Sequence, residues 1–107
     1  MKVRYTRRAL RQMTEVLDYI EARSPSGAEH VKRRLQGIID LLADHPNSGR
    51  TTTKGNIRRF VVSPYPYVIF YRTDATGIVI HGVRHAARRP FEPRRVGRLV
   101  DSSNVII

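Results

Sequence analysis

Apolar residues recur every three or four positions through the first half of this chain and in alternation or short runs through the second. Leu10, Met13, Val16, Leu17 and Ile20 form one helical stripe, which predicts a helix from about Arg7 to Arg23. Thr6 stands where an N-cap belongs. Ser24-Pro25 ends that helix, because the residue before a proline avoids the helical region. Val31, Leu35, Ile38, Ile39 and Leu42 form a second stripe and predict a helix from about Ser26 to Ala43. Ser24 or Ser26 can cap it, and Pro25 suits its first turn. Two striped helices with a short connection predict an antiparallel hairpin.

Ahead of the helices, Val3 and Tyr5 alternate with Lys2 and Arg4, the mark of a half-buried strand over residues 2–5. His45-Pro46-Asn47-Ser48-Gly49 stops the second helix and opens a polar loop that reaches Asn56. Three strands follow, over Ile57–Ser63, Tyr67–Thr73 and Ile78–Arg84. Ser63-Pro64-Tyr65-Pro66 joins the first two, and Asp74-Ala75-Thr76-Gly77 joins the last two as a hairpin turn. The nearly continuous apolar run from Tyr67 to Tyr71 puts the middle strand at the centre of a sheet. The order predicts an α+β domain, with the N-terminal strand and the two-helix hairpin packed on a mostly antiparallel sheet. The first strand must join that sheet to satisfy its backbone. Residues 1–90 read as one domain and residues 91–107 as a basic C-terminal extension. Residues 85–98 hold five Arg and two Pro against one Glu. The apolar end, Val105-Ile106-Ile107, is left with two places to pack, the body or a partner.

At 107 residues the chain has room for one core, and 40% apolar residues argue against wholesale disorder. No Cys is present, which excludes disulfides, thiolate nucleophiles and Cys-based zinc sites. The basic N-terminus is followed by no apolar run of signal-peptide type, and no stretch reaches 18 apolar residues, so the expected location is cytoplasmic with no membrane contact. Charge changes the picture more. Twenty Lys+Arg against nine Asp+Glu give +11, and seventeen of the twenty are Arg. Such an excess implies an anionic partner: nucleic acid, an acidic protein segment or an anionic membrane surface. The guanidinium fork favours phosphate or carboxylate.

The usual catalytic signatures are missing. The chain has no Gly-rich phosphate loop and no His-Glu-x-x-His. His81 and His85 are four apart, roughly 13 Å on an extended strand, too far to share an ion, so neither a metal nor a cofactor is expected. Arg58 and Arg59 open a strand, and alternation sends them to opposite faces. Arg72 and Arg84 each end an apolar strand and could join Arg59 in a phosphate-positioning cluster. Of the groups that titrate near neutrality, only His85 adjoins this cluster, beside Arg84, and its plainer reading is a strand-end residue bonded to backbone. Tyr65, Tyr67, Phe70 and Tyr71 could stack bases, but their spacing fits sheet packing better. Arg7, Arg8 and Arg11 fall on the polar side of the first helix.

In order along the chain stand Tyr5-Thr6-Arg7-Arg8-Ala9-Leu10, Leu17-Asp18-Tyr19-Ile20, Leu41-Leu42-Ala43-Asp44-His45-Pro46 and Gly49-Arg50. Ile57-Arg58-Arg59-Phe60-Val61-Val62, Tyr65-Pro66-Tyr67-Val68-Ile69-Phe70-Tyr71-Arg72 and Val79-Ile80-His81-Gly82-Val83-Arg84-His85-Ala86-Ala87-Arg88 complete the series. This succession, over about residues 2–90, resembles the RelE/ParE superfamily of bacterial toxins from type II toxin–antitoxin systems. The resemblance implies two N-terminal helices on an antiparallel sheet, inhibition of growth, and neutralisation in a hetero-oligomer by a cognate antitoxin with an acidic or amphipathic segment. Two targets divide the superfamily: RelE-like members cleave mRNA on the ribosome, and ParE-like members poison DNA gyrase. Arg59 and Arg84 match sheet arginines of the RNases, with His85 adjacent, and these three are the catalytic set of the RNase alternative. Against that alternative, Lys54 alone stands for the family's Lys-rich loop and no Tyr follows residue 71. Tyr65-Pro66-Tyr67 and Arg84–Pro90 look like ParE, so gyrase inhibition without a catalytic residue is the favoured expectation. Target binding then falls to Arg58, Arg59, Arg72, Arg84, Arg88, Arg89, Arg94 and Arg95.

Overall fold

The computed structural model describes residues 2–87 and the backbone of residues 105–106. A strand, β1 (Lys2–Thr6), opens the chain. Thr6 keeps extended backbone, and its Oγ1 accepts a hydrogen bond from Ala9 N at 3.0 Å, which starts α1 (Arg7–Glu21) as expected of an N-cap. Residues 22–23 continue as a turn, so α1 stops two residues short of the predicted end. Ser24 caps α2 (Pro25–Asp44) by accepting from Gly27 N at 3.0 Å, with Pro25 in the first turn. Neither helix is long and apolar enough to cross a membrane.

The charges of α1 run against its dipole. Its first turn begins Arg7-Arg8 and contains no acid; its last turn holds Asp18 and Glu21 and no base. Each such placement costs about 0.3–1 kcal/mol at an exposed helix end.

Within the segment read as a polar loop lies a two-residue strand, β2 (Arg50–Thr51), paired with β3 (Arg58–Val61). Two exposed residues carry no periodicity, so pattern alone could not find it. The long strands are β4 (Tyr67–Asp74) and β5 (Gly77–His85). Asp74 makes their turn: Oδ1 accepts from Thr76 N at 2.9 Å and Gly77 N at 3.0 Å. Gly77 must lack a side chain, because a Cβ there would stand 1.9 Å from the Lys2 carbonyl oxygen.

The sheet order is β2-β3-β4-β5-β1-β6, where β6 is Val105–Ile106. All neighbours are antiparallel except β1 and β5. The first strand therefore joins the sheet, as its backbone requires, and β4 and β5 are the central pair. Of the two places open to the apolar C-terminal end, the body holds its backbone, along β1 at Tyr5 and Thr6. The helices cover one face. Leu35, Ile39 and Leu42 of α2 pack with Ile69, Tyr71, Ile78 and Ile80 of the sheet, all 0–1% exposed. α1 contributes Ala9 fully buried and Met13, Val16, Leu17 and Ile20 partly buried.

Candidate functional site

The site is built on the other face of the sheet. Cross-strand register puts Arg59 of β3 in one row with Phe70 and Gly82, and Arg84 in the next with Val68 and Val61. Arg72 and Arg4 share a further row with Val79. Ile57, Val68 and Phe70 form a small apolar cluster of their own beneath these side chains. Arg59, Arg72 and Arg84 therefore do gather on one surface.

The central feature is a bulge. Phe70 pairs with Gly82 and Tyr71 with Ile80, leaving His81 as the extra residue. A bulge disrupts the ladder, and here the neighbouring elements repair it. The Thr6 hydroxyl donates to the His81 carbonyl at 3.2 Å, and Gln12 Oε1 of α1 accepts from Val83 N at 3.0 Å. Gly82 leaves room for that amide; a Cβ there would meet Gln12 Oε1 at 2.7 Å. His81 itself is 8% exposed and accepts at Nε2 from Arg72 Nε at 3.1 Å. Arg can only donate, so Nε2 is unprotonated and the ring is neutral. Burial, and then the Arg72 charge, push its pKa down to about 4.

Arg72 and Arg4 both engage Asp74, Arg72 at 3.6 Å. That shared carboxylate and the His81 bond hold Arg72 in a structural network. Arg59 makes no ion pair among the described residues. The other described carboxylates, Glu15, Asp18, Glu21, Glu29, Asp40 and Asp44, all lie on the helices. The sheet face is thus basic, whereas each helix balances three acids with three Lys or Arg.

Two residues from the sequence reading stand elsewhere. Arg58 is directed to the helix side, where it donates to Gly49 O at 2.8 Å and Asn47 O at 3.3 Å. There it braces the loop that Tyr71 also holds, by donating to Pro46 O at 2.7 Å and accepting from Gly49 N at 2.8 Å. His85 pairs with Tyr67, and their rings meet edge to face at 5.4 Å. Both lie on the α1 side of the sheet. Strand alternation directs Arg84 and His85 to opposite faces, although both border one cleft at the end of β5, so Arg59, Arg84 and His85 do not share one face. Arg88, Arg89, Arg94 and Arg95 fall outside the described residues. His81 was overlooked as a site residue; its signal was a lone polar ring in an apolar run, followed by a glycine.

A concavity of about 680 Å³ lies between α1 and the ends of β4 and β5. Gln12, Glu15, Val16 and Tyr19 wall it on one side, and Tyr67 and His85 on the other. Arg84 also contributes to its wall.

Residues 3–90 match the profile of the family described as ParE toxin of type II toxin–antitoxin system, parDE. The chain belongs to this family. It is 44% identical over 88 residues to toxin RelE2 of Caulobacter vibrioides, covering 81% of this chain and 97% of that one. It is 38% identical over 85 residues to Y4kP of Sinorhizobium fredii, covering 79% and 88%. A chain from the chromosomal ParDE toxin–antitoxin system of P. aeruginosa superposes with a TM-score of 0.70 at 17% identity, over 79% of this chain and 95% of that chain. This last likeness supports the α+β fold read from the sequence. As a type II toxin of the ParE/RelE superfamily, the protein has an antitoxin for a partner.

Proposed function

We propose that this toxin acts by binding, as a ParE-like inhibitor of DNA gyrase, and performs no chemistry of its own. The observation that carries this reading is that, among the described residues, no side chain able to carry a proton shares the open face of the sheet with the basic pair Arg59 and Arg84. Cleavage of RNA by its own 2′-OH needs one group to take a proton and another to return it. Arg does neither at any ordinary pH. His81 is neutral, buried and bonded to Arg72. His85 lies on the opposite side of the sheet. What remains is fixed positive charge over an apolar floor, which suits an anionic or polar target surface. Arg59 and Arg84, with the tail residues Arg88, Arg89, Arg94 and Arg95, are the proposed contacts. Residues 91–107 are proposed as a basic extension that supplies part of that contact.

Purified toxin added to a gyrase supercoiling reaction and, separately, to translation on programmed ribosomes tests this reading. Loss of supercoiling with intact mRNA is expected. Cleavage of mRNA with unaffected gyrase would reverse it in favour of a RelE-like endoribonuclease. Deletion of residues 91–107 is expected to weaken gyrase inhibition.

A further inference from the structure

The bulge in β5 reverses the alternation of that strand. Ahead of it, Ile78 and Ile80 face the helices. After it, Val83 and His85 face the helices, and Gly82 and Arg84 face the open side. Without the extra residue His81 the order would be inverted. Gly82 and Arg84 would turn to the helices, and Val83 and His85 would stand on the face that carries Arg59 and Arg72. The bulge therefore decides which of two adjacent side chains, a fixed cation or a titratable ring, β5 adds to the basic surface.

Charge does not make this choice, because Arg84 borders the cleft walled by Glu15 and a carboxylate stands on the helix side too. Val83, 2% exposed, favours the bulged register by its burial. A second contribution comes from the start of α1. β1 covers the edge of β5 only as far as Ile80, because the chain enters α1 after Thr6. Beyond that point, among the described residues, two side chains take the place of a strand. The Thr6 hydroxyl donates to His81 O at 3.2 Å, and Gln12 Oε1 accepts from Val83 N at 3.0 Å. Successive residues of a strand turn their amides to opposite edges, so Gln12 meets the Val83 amide only in the bulged register. Gly82 belongs to the same fit, since a Cβ there would stand 2.7 Å from Gln12 Oε1.

We infer that Gln12 is a positioning residue for the target surface: its bond to Val83 N holds the register in which β5 presents Arg84, and not His85, on the face of Arg59. Thr6 supports the same register but also caps α1, so substitution of Gln12 isolates the effect. The inference rests on the reading of that face as a binding surface without chemistry.

The test uses the full-length toxin. Gln12→Asn keeps the amide but is one methylene too short for Val83 N, and Gln12→Glu keeps an acceptor at full length. NMR cross-relaxation between the Tyr67 and His85 rings, whose centroids are 5.4 Å apart, reads the register. Gln12→Asn should weaken or abolish that ring contact. It should also raise the toxin concentration that half-inhibits gyrase supercoiling by about tenfold. Gln12→Glu should keep the ring contact and inhibit within about threefold of wild type. Gly82→Ala, which crowds Gln12, should behave like Gln12→Asn. Gly82→Ala/Gln12→Ala should be no worse than Gln12→Ala, because the truncation removes the clash. Ring contact and inhibition both intact in Gln12→Asn overturn the inference, as does inhibition lost with the ring contact intact. Unfolding of both Gln12→Asn and Gly82→Ala overturns it as well, because the bond would then be structural only. Wild-type toxin that leaves gyrase unaffected overturns the reading of the surface instead, and the ring contact in Gln12→Asn still tests the register on its own.

Discussion

The two faces of this sheet come from the same strands and have opposite contents. The helix side is filled by Ile69, Tyr71, Ile78 and Ile80, each 0% exposed, against Leu35, Ile39 and Leu42. The open side carries Arg4, Arg59, Arg72 and Arg84 over a thin apolar floor. The comparison separates two jobs. The covered face supplies the stability of the fold, and the open face is held in shape by polar bonds.

That division is tested by substitutions on each side. Leu35→Ala leaves a cavity beneath α2 and should lower unfolding free energy by about 2–5 kcal/mol in urea titrations. A loss below ~1 kcal/mol would mean that this core is less closely packed than its burial indicates. Tyr71→Phe keeps the ring but strips the loop's Gly49 N–H and Pro46 carbonyl of their partner. It should cost about 1–3 kcal/mol, with the open face of the sheet unaltered.

His81 lies on the boundary between the two regimes. Its folded pKa of about 4 lies below the ordinary 6.5, so the unfolded chain takes up a proton that the folded chain refuses. Its contribution to stability is complete above pH 6.5 and is lost as pH falls from 6.5 toward 4. The thermal midpoint of wild type should therefore drop more steeply over that window than that of His81→Gln. Parallel curves would show that the ring is freely protonated in the fold.

The smallest stability effects belong to the open face. Arg59→Ala, and Arg59→Ala combined with Arg84→Ala, should move the thermal midpoint by only a few degrees, as surface substitutions do. Growth arrest on induction should nevertheless weaken markedly for the double variant. His85→Ala should leave toxicity unchanged; a loss of toxicity in soluble, folded His85→Ala would return that residue to the functional site.

Much of this was readable in the chain. The two stripes, the Thr6 and Ser24 caps, the Asp74–Gly77 turn and the N-terminal strand all appear where local pattern and backbone accounting place them. β2 did not, because an edge strand two residues long is made by its neighbour's hydrogen bonds and has no pattern of its own. The clustering of Arg59, Arg72 and Arg84 was legible from strand alternation. Alternation also foretold that Arg58 and Arg59 part, whereas His85 was joined to Arg84 by adjacency, although neighbours on a strand point apart.

What the sequence alone determined is whatever depends on residues within a turn or two of each other: period, caps, turns and net charge. Only the tertiary structure decided which strands are neighbours, where the bulge falls, and hence that His81 is buried against Arg72 while His85 faces α1. Those outcomes depend on contacts such as Thr6 with His81 and Gln12 with Val83, made between residues some seventy positions apart. Local chemistry cannot encode such pairings until the chain has folded on itself.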